Sequence, residues 1–522
     1  MKKVSWIYWL GFFLLLKLLL HLRVNGTWSF HRDELLYLAL GRHLDWGYAS
    51  VPPGIGFWAW FSSAVLGGSV EAVRLISTLF CSATVLLTAL MAREMQPAGN
   101  PPSKGIFSTL LIGLAGLLCG ALLRPAMLFM PVVFDLFYWT LLCWLFLKYI
   151  NTGRDRWILF FAGFAALGFL NKYSVLIFLF ALLPGLLLSR HRKLFTKPVL
   201  YYSILLGLLI VLPNLLWQYR HQFPVFRHLG ELAATQFVHV SLSGFFSDQI
   251  MFFMPALPVW LAGLYFLLWR REAVSWRIFG WMFLTVLAVL LLFKAKSYYS
   301  LGAYPVLLAA GAAFLEEQTR HGRAWLRPVL VIFMLVLGLV TMPAILPVFK
   351  PEKEASYLKK LAGYPGLDGL LRWEDGRYYA LPQDFADMMG WQEIADLAGK
   401  AWAQIPDKSN AAIYAENYGL AGGIEYFGKK YGIEQVLSFS DNYRYWLPDS
   451  LPPDFHTLVY VNDELGDDMP GFFGKITLEG QLEMPLSRQH GVQVYICEKP
   501  TAAFFDRIGT AIRNAKEEKE IE

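Results

Sequence analysis

Long apolar segments alternate with short polar ones over roughly the first 350 residues of the chain. A helix needs about 20 mostly apolar residues to span a membrane. Eleven segments reach or approach that length, and we predict a spanning helix at each of them. They lie at residues 4–22, 71–91, 105–123, 131–150, 157–171, 174–189, 198–216, 249–269, 277–293, 300–317 and 328–348.

Two places depart from this regular series. The fifth and sixth segments are short and flank Asn171-Lys172-Tyr173, which predicts a tight hairpin of two helices. Residues 55–70 are apolar but short and interrupted by glycine. We predict that they form a helix lying on the outer membrane surface rather than spanning it.

Three polar segments are long enough to have structure of their own, at residues 23–70, 217–248 and 349–522. The last one contains strand-like runs separated by helix-like runs, a pattern that predicts a small α/β domain. The strand-like runs are 411–415, 457–461 and 492–498. The predicted division is therefore a transmembrane catalytic domain at 1–348, with outer loop 23–70, and an α/β domain at 349–522.

Two stretches of the predicted α/β domain are less regular. Gly419–Gly423 is rich in glycine, and we interpret it as a turn from strand to helix, although it could also turn around a ligand. The tail from Arg507 is predicted to be a charged helix or a disordered end.

Composition agrees with a polytopic α-helical membrane protein. The chain is 56% hydrophobic and 16% charged, and soluble domains carry about a quarter charged residues. Its net charge of +6 does not indicate a nucleic-acid partner, because Lys and Arg concentrate in the predicted cytoplasmic loops. The four cysteines show neither a disulfide pattern within residues 349–522 nor the spacing of a metal site.

The loop charges predict the orientation. With the N-terminus inside, the inner loops hold seventeen Lys and Arg and the short outer loops hold nine, which agrees with the positive-inside rule. The basic N-terminal segment lacks a small-residue cleavage site, so we interpret it as an uncleaved first helix. Eleven spans then put residues 349–522 on the outer side.

Acidic residues in this setting are candidates for chemistry. Asp33 and Glu34 lie in the polar stretch Phe30–Gly54 and could act as a general base or bind a divalent ion. The alternative is a solvated surface helix with a capping acid. Asp135 lies near the start of the fourth span, where a carboxylate is costly unless paired or used. The alternative interpretation of Asp135 is a structural acid that is stabilised at the start of a helix by the helix dipole.

Basic and phenolic residues occur at the same predicted boundary. Lys172 ends the fifth span, and its ammonium suits a lipid phosphate, although it could simply reach toward the interface. Lys294, Lys296, Tyr298 and Tyr299 precede the tenth span and offer further donors to a phosphate. Any one of these lysines could instead be an idle surface charge.

The order of several blocks resembles bacterial membrane glycosyltransferases of the protein-mannosyltransferase-like family. This is the GT-C class, which includes the lipid A aminoarabinose transferases. The blocks are DELLYLALGRHLDWGYASVPPGIGFWAWF, GGSVEAVRLIS, FMPVVFDLFYWT, GFLNKYSVLIF, LPNLLWQYRHQFPVFRHL and KAKSYYSLGAYPVLLAAGA, and ENYGLAGGIEYFGKKYGIEQVLSFSDNYRYW resembles the outer domain of a bacterial subgroup.

The resemblance implies roles for the candidate residues. The donor would be a polyprenyl-phosphate sugar, used at an active site on the non-cytoplasmic face. Asp33 would serve catalysis with support from Glu34, and Asp135 matches a second acid of the family. Lys172 matches a residue that holds the donor phosphate, and Tyr298 and Tyr299 lie in the block that borders it. No metal ligand is assigned, and a divalent cation is left open.

One sequence difference limits which properties of the family can be expected for this chain. Aminoarabinose transferases have a charged Glu-Lys pair before the double proline, where this chain has Ala49-Ser50-Val51. This difference argues against the same sugar or acceptor.

The predicted function is transfer of a sugar from a polyprenyl-phosphate donor to an envelope lipid, glycan or protein at the periplasmic face of the bacterial inner membrane. A transporter or flippase of lipid-linked sugars is the alternative. It predicts mid-span charges and repeated broken helices, whereas Lys17 is the one clear mid-span charge. A third interpretation is a non-catalytic assembly scaffold.

Overall fold

The computed structural model describes residues 5–96, 105–235, 237–320, 322–364 and 367–517. Before residue 350 these ranges contain sixteen α-helices and several short 3-10 helices. The α-helices are α1 (Trp6–Val24), α2 (Arg32–Arg42), α3 (Gly54–Leu66), α4 (Val70–Glu94), α5 (Ile106–Leu118), α6 (Gly120–Met127), α7 (Pro131–Thr152), α8 (Arg156–Asn171), α9 (Val175–Leu187), α10 (Pro198–Arg220), α11 (Pro224–Thr235), α12 (Leu242–Met251), α13 (Leu257–Trp269), α14 (Arg277–Leu292), α15 (Tyr304–Gln318) and α16 (Leu326–Thr341).

All eleven segments predicted as apolar helices are helical. By length and composition, six helices of the described residues are able to cross a membrane, or up to nine if each of three bent pairs is one span. The count of eleven spans and the predicted orientation stay predictions. The hairpin is confirmed, since α8 ends at Asn171 and α9 begins at Val175. Residues 54–66 are helical as predicted, and their place on the membrane surface stays a prediction.

The long helices divide into inner and outer ones. In α7, 78% of the most apolar 18-residue window is buried, whereas in α10 and α16 only 17% is buried. The exposed side chains of α10 include Leu205, Leu208 and Leu209. Apolar faces of this extent are unfavourable in water and are suited to lipid. The chain is a multi-pass membrane protein.

Helices α13 and α15 cross at two glycines. An added Cβ at Gly263 would lie 1.9 Å from the carbonyl oxygen of Leu307, and one at Gly311 would lie 1.8 Å from that of Val259. Only glycine lets the two backbones approach this closely, as is common between membrane helices. The crossing fixes α15 in the centre of the helical core.

Lys17 has a structural explanation. It is 1% exposed on α1, and its Nζ donates to the carbonyl oxygens of Gly116, at 2.9 Å, and Leu122, at 2.6 Å. These carbonyls lie on either side of a 53° bend between α5 and α6. Helix ends leave carbonyls without partners and favour a positive charge. The mid-span lysine therefore stabilises a bend, and it gives no support to a transport pathway.

The C-terminal domain contains the remaining helices and a sheet. They are α17 (Pro351–Ala362), α18 (Gln383–Ala386), α19 (Trp391–Ala403), α20 (Tyr418–Phe427), α21 (Met469–Phe472) and α22 (Ala502–Lys516), with strands β1 (Ala411–Ala415), β2 (Thr457–Asn462), β3 (Phe473–Gln481) and β4 (Gln493–Pro500). The strand order is β1-β2-β4-β3. Strand β1 pairs with β2 in parallel, and the other pairs are antiparallel.

The predicted α/β character of this domain is confirmed, with two differences. Strand β3 was not predicted, and the stretch Gly419–Gly423 lies inside α20 rather than in a turn. The domain is docked on the helical part, since Trp391, Leu420 and Val459 belong to the same buried apolar cluster as Leu35 of α2. The tail from Arg507 is helical as far as Lys516.

Candidate functional site

Helix α2 begins at a fixed point of the polar loop. The Nδ1 atom of His31 accepts a hydrogen bond from the backbone N–H of Asp33 at 3.1 Å. In return, Oε2 of Glu34 accepts one from the backbone N–H of His31 at 2.8 Å. Reciprocal bonds of this kind satisfy free N–H groups and fix the start of a helix. Asp33 is therefore held in the first turn of α2.

Glu34 is fully buried in an ion pair with Arg74 of α4. Arg74 donates from Nη2 to Oε2 at 2.7 Å and from Nε to Oε1 at 3.1 Å. The N–H of Phe129 donates to Oε1 at 2.7 Å. Arg74 also donates to the carbonyl oxygens of Asn25 and Trp28. Glu34 thus connects the polar loop with α4 and with the segment before α7. Its predicted supporting role in catalysis stays a prediction.

Asp33 is partly exposed, unlike its neighbour. Its Oδ1 accepts a hydrogen bond from the hydroxyl of Tyr418 in the C-terminal domain, at 2.8 Å. The guanidinium of Arg32 lies 4.6 Å from the centre of the Tyr418 ring. Among the described residues Arg32 has no ion pair, and its Nε is buried without a hydrogen-bond partner. Sequence reasoning assigned no role to Tyr418 or Arg32.

Asp135 lies near Lys172, and Lys172 lies beside Tyr298 and Tyr299. The predicted catalytic role of Asp135 and the predicted phosphate-binding role of the other three stay predictions. Asp135 is 4% exposed, and its Oδ1 accepts a hydrogen bond from Ser174 at 2.8 Å. The ammonium of Lys172 lies 5.1 Å from the ring centre of Tyr298 and 4.5 Å from that of Tyr299. No carboxylate of a described residue forms an ion pair with it. The Lys172 ammonium therefore has an aromatic cradle and no fixed counter-ion.

Tyr37 connects this cluster with Asp33. It lies one helical turn after Asp33 on α2, so both side chains are on the same face. Burial raises the pKa of the Tyr37 phenol well above its ordinary value, and the nearby Asp33, Tyr418, Asp441 and Tyr299 raise it further. The spacing of four residues between Asp33 and Tyr37 is the sequence signal that places the two side chains together.

Lys296 and Lys294 occupy different surroundings. The Nζ of Lys296 forms an ion pair with Oε1 of Glu374 in the C-terminal domain, at 2.9 Å. Burial would raise the pKa of Glu374, but Lys296 holds it below its ordinary value. Lys296 also lies 5.9 Å from the ring centre of Tyr298, at the edge of the Lys172 cluster. Lys294 is exposed. The predicted phosphate contacts of both lysines stay predictions.

His31 is part of a second set of contacts to the C-terminal domain. It is 5% exposed, and its Nε2 lies 3.8 Å from Asp384 and 3.8 Å from Asp387. Arg124 and Arg488 form ion pairs with the same two acids. Burial alone would lower the pKa of His31, but the acids, Asp384 first, raise it to about 9.

This contact predicts a loss of stability in alkaline solution. The pKa of His31 in the fold is about 9, above its ordinary 6.5, so its stabilisation is complete below pH 6.5 and is lost as the pH rises through 9. At about 1.4 kcal/mol for each pKa unit, the difference between 9 and 6.5 amounts to at most about 3.5 kcal/mol. The bond from the Asp33 N–H to Nδ1, which only the neutral ring accepts, offsets part of this loss. We expect thermal unfolding of the wild type to occur at lower temperature at pH 9.5 than at pH 6.5, and His31→Gln to remove most of this difference. His43→Gln is the matched control, because His43 stacks on Trp446 without an acidic partner. An unchanged pH dependence in His31→Gln contradicts the assignment.

The described residues contain no group of three or more His, Cys, Asp or Glu side chains that could hold a metal ion. The divalent cation that the sequence left open stays untested.

Comparison with known proteins agrees with this fold. Residues 50–217 match the model of the dolichyl-phosphate-mannose-protein mannosyltransferase family. This range is about a third of the chain; it contains Asp135 and Lys172 and begins after Asp33. No curated protein sequence matches the chain significantly.

Two crystal structures of ArnT from Cupriavidus metallidurans have a similar fold. The structure bound to undecaprenyl phosphate aligns over 94% of this chain and 98% of that chain, with a TM-score of 0.61 and 13% identity. The apo structure aligns over the same shares, with a TM-score of 0.59 and 14% identity.

The family match and the fold confirm the predicted resemblance to GT-C glycosyltransferases. By sequence the chain resembles the dolichyl-phosphate-mannose-protein mannosyltransferase family over residues 50–217, and by fold it resembles ArnT over most of its length.

Proposed function

We propose that the chain transfers a sugar from a polyprenyl-phosphate donor to a hydroxyl group of a lipid, glycan or protein acceptor of the bacterial envelope. The reaction takes place at the periplasmic face of the inner membrane. The observation that supports this most directly is the closeness of Asp33 to the Lys172 cluster. Asp33 and Tyr299 both act electrostatically on the buried Tyr37 phenol, and the Lys172 ammonium lies 4.5 Å from the centre of the Tyr299 ring. Such a transfer uses a base that removes the proton of the acceptor hydroxyl and a cation that stabilises the departing phosphate.

Asp33 is the acceptor side of the proposed mechanism. Its carboxylate takes the proton of the acceptor hydroxyl while that oxygen attacks the anomeric carbon of the sugar. The bond between the anomeric carbon and the phosphate oxygen breaks on the opposite side. Its electron pair remains on the polyprenyl phosphate, which leaves as the second product.

Lys172 is the donor side. Negative charge increases on the phosphate oxygen as the bond to the sugar breaks, and a cation held in place stabilises that charge. Asp135 lies close enough for its charge to attract Lys172 without forming an ion pair, which leaves the ammonium able to bind the phosphate. Undecaprenyl phosphate in the ArnT structure supports a polyprenyl phosphate as the lipid bound here. No nucleotide is part of the proposed reaction.

Synthetic undecaprenyl-phosphate sugars test the proposal. The purified full chain in lipid nanodiscs is incubated with a panel of such donors and with envelope extract of a deletion strain. We expect labelled sugar to move from at least one lipid-linked donor to an extract component, which mass spectrometry then identifies as lipid, glycan or protein. Transfer from nucleotide sugars alone, or from no member of the panel, contradicts the proposal.

Lys172→Ala is expected to weaken binding of undecaprenyl phosphate by about 10- to 100-fold, because a hydrogen bond to a charged group contributes about 1.5–3 kcal/mol. The Kd is measured on nanodiscs with undecaprenyl phosphate itself. Lys353→Ala is the matched control, since Lys353 also lies on an aromatic ring, that of Phe349, but outside the cluster. Equal affinity in wild type and Lys172→Ala removes Lys172 from the phosphate role.

A further inference from the structure

Helix α20 of the C-terminal domain packs directly on α2. An added Cβ at Gly419 would come within 2.6 Å of Cγ of Arg32, and one at Gly422 would come within 3.0 Å of Cβ of Leu35. Any larger side chain would push the helices apart. The glycine-rich stretch, which resembles a turn in the sequence, is therefore the contact surface of α20 for the helix that carries Asp33.

The start of α20 is fixed by its own capping. Oδ1 of Asn417 accepts hydrogen bonds from the N–H groups of Gly419, at 3.0 Å, and Leu420, at 3.1 Å. Strand β1 ends only two residues earlier, at Ala415, so the sheet determines where the helix begins. Tyr418 is consequently the first residue of a helix that is held at both its cap and its face.

The phenol of Tyr418 can act only as a neutral donor at ordinary pH. Burial raises its pKa well above the usual range, and Asp33 raises it further. Its ring is held under the guanidinium of Arg32. The hydroxyl proton therefore points to Oδ1 of Asp33, and no hydrogen bond from another described side chain reaches Oδ2.

We propose that Tyr418 is a positioning residue for Asp33 and that the C-terminal domain thereby completes the active site. The phenol O–H holds Oδ1, which leaves Oδ2 directed at the acceptor hydroxyl. This inference rests on the proposed role of Asp33 as the base. It assigns the C-terminal domain a part in catalysis, in addition to any part in acceptor binding.

The pH dependence of turnover tests the bond between Tyr418 and Asp33. A hydrogen bond donated to a carboxylate favours the ionised form. The titratable and charged groups that act on the pair are His31, Arg32 and Tyr37 of the helical part and Asp441 and Arg488 of the C-terminal domain, and Tyr299 acts on Tyr37 in turn. His31 titrates near pH 9, far from the acid side of the profile. A change confined to the acid side therefore reports on the carboxylates.

Tyr418→Phe tests the proposal, because it removes one oxygen and keeps the ring. We expect turnover with the lipid-linked donor to fall about 10- to 100-fold. The acid limb of the pH–rate profile is expected to move to higher pH, while the Kd for undecaprenyl phosphate stays unchanged. Tyr426→Phe is the control on the same helix, since its hydroxyl donates to the carbonyl oxygen of Gly68 instead.

Infrared titration gives a readout that does not depend on turnover. The carboxylate band of Asp33 is identified by its loss in Asp33→Asn, and in Tyr418→Phe it is expected to appear only at higher pH than in the wild type. Incorporation of 3-fluorotyrosine at position 418 makes the phenol a stronger donor and is expected to move the band to lower pH. A purely structural role for Tyr418 predicts neither shift.

The outcomes separate this inference from the proposed function. A band and acid limb that stay in place in Tyr418→Phe overturn the positioning role, whether or not turnover falls. If Asp33→Asn is inactive in that case, the proposed function stands and only the inference fails. If Asp33→Asn transfers sugar at the wild-type rate, the proposed function itself fails.

Discussion

Asp33→Asn is expected to lower sugar transfer by about 10²- to 10⁴-fold, the usual contribution of a general base. Asparagine has the same shape but cannot take the proton of an acceptor hydroxyl. The amide oxygen can still accept the hydrogen bond from Tyr418, and the partly exposed position tolerates a neutral group. The variant is therefore expected to fold, and its lower rate of sugar transfer is attributed to the chemical step.

The measurement is transfer from the lipid-linked donor that the wild type uses, together with thermal unfolding. Asp45→Asn is the matched control, because Asp45 lies in the same loop and accepts a hydrogen bond from Nε1 of Trp217 that asparagine can also accept. We expect Asp45→Asn to keep most of the activity. A folded Asp33→Asn variant with wild-type transfer rules out Asp33 as the base.

Glu34→Gln is expected to destabilise the fold by about 3–5 kcal/mol, because it leaves the buried charge of Arg74 without its counter-ion. Both side chains are fully buried, so water cannot replace the lost carboxylate. The variant is expected to unfold at lower temperature and to lose activity as well, since the single amide oxygen of glutamine cannot accept from the backbone N–H groups of both His31 and Phe129 as the carboxylate does.

Glu71→Gln is the control for this prediction. Glu71 lies in the first turn of α4, three residues before Arg74, and is exposed. A surface substitution of this kind is expected to change the free energy of unfolding by no more than about 0.5 kcal/mol. Equal unfolding temperatures for Glu34→Gln and Glu71→Gln contradict the structural role of the buried pair.

Local patterns in the sequence predict the positions of the helices and of some residues of the candidate site. The apolar segments had the length of spanning helices, and all are helical. The Lys172 cluster was predictable because its members stand beside predicted helix ends. Strand β3 was missed, since Phe473–Gln481 is largely exposed and contains two glycines, so it lacks the apolar alternation of a strand.

Contacts between distant segments were not predictable in the same way. The pairs Glu34–Arg74 and Lys296–Glu374 are separated by 40 and 78 residues, and no local period connects them. The glycines of α20 pointed to a turn because glycine is a poor helix former. Close packing against α2 outweighs that preference, and only the three-dimensional arrangement shows it.

The hydrogen bond between Tyr418 and Asp33 joins residues 385 positions apart, which has a consequence for biosynthesis. At about 5–20 residues per second, a ribosome adds the tyrosine roughly 20–80 s after the aspartate. Throughout that interval Asp33 lacks the phenol that holds its Oδ1 in the complete fold. On the proposed role of Tyr418, a membrane-inserted chain that stops before α20 is expected to lose at least as much activity as Tyr418→Phe.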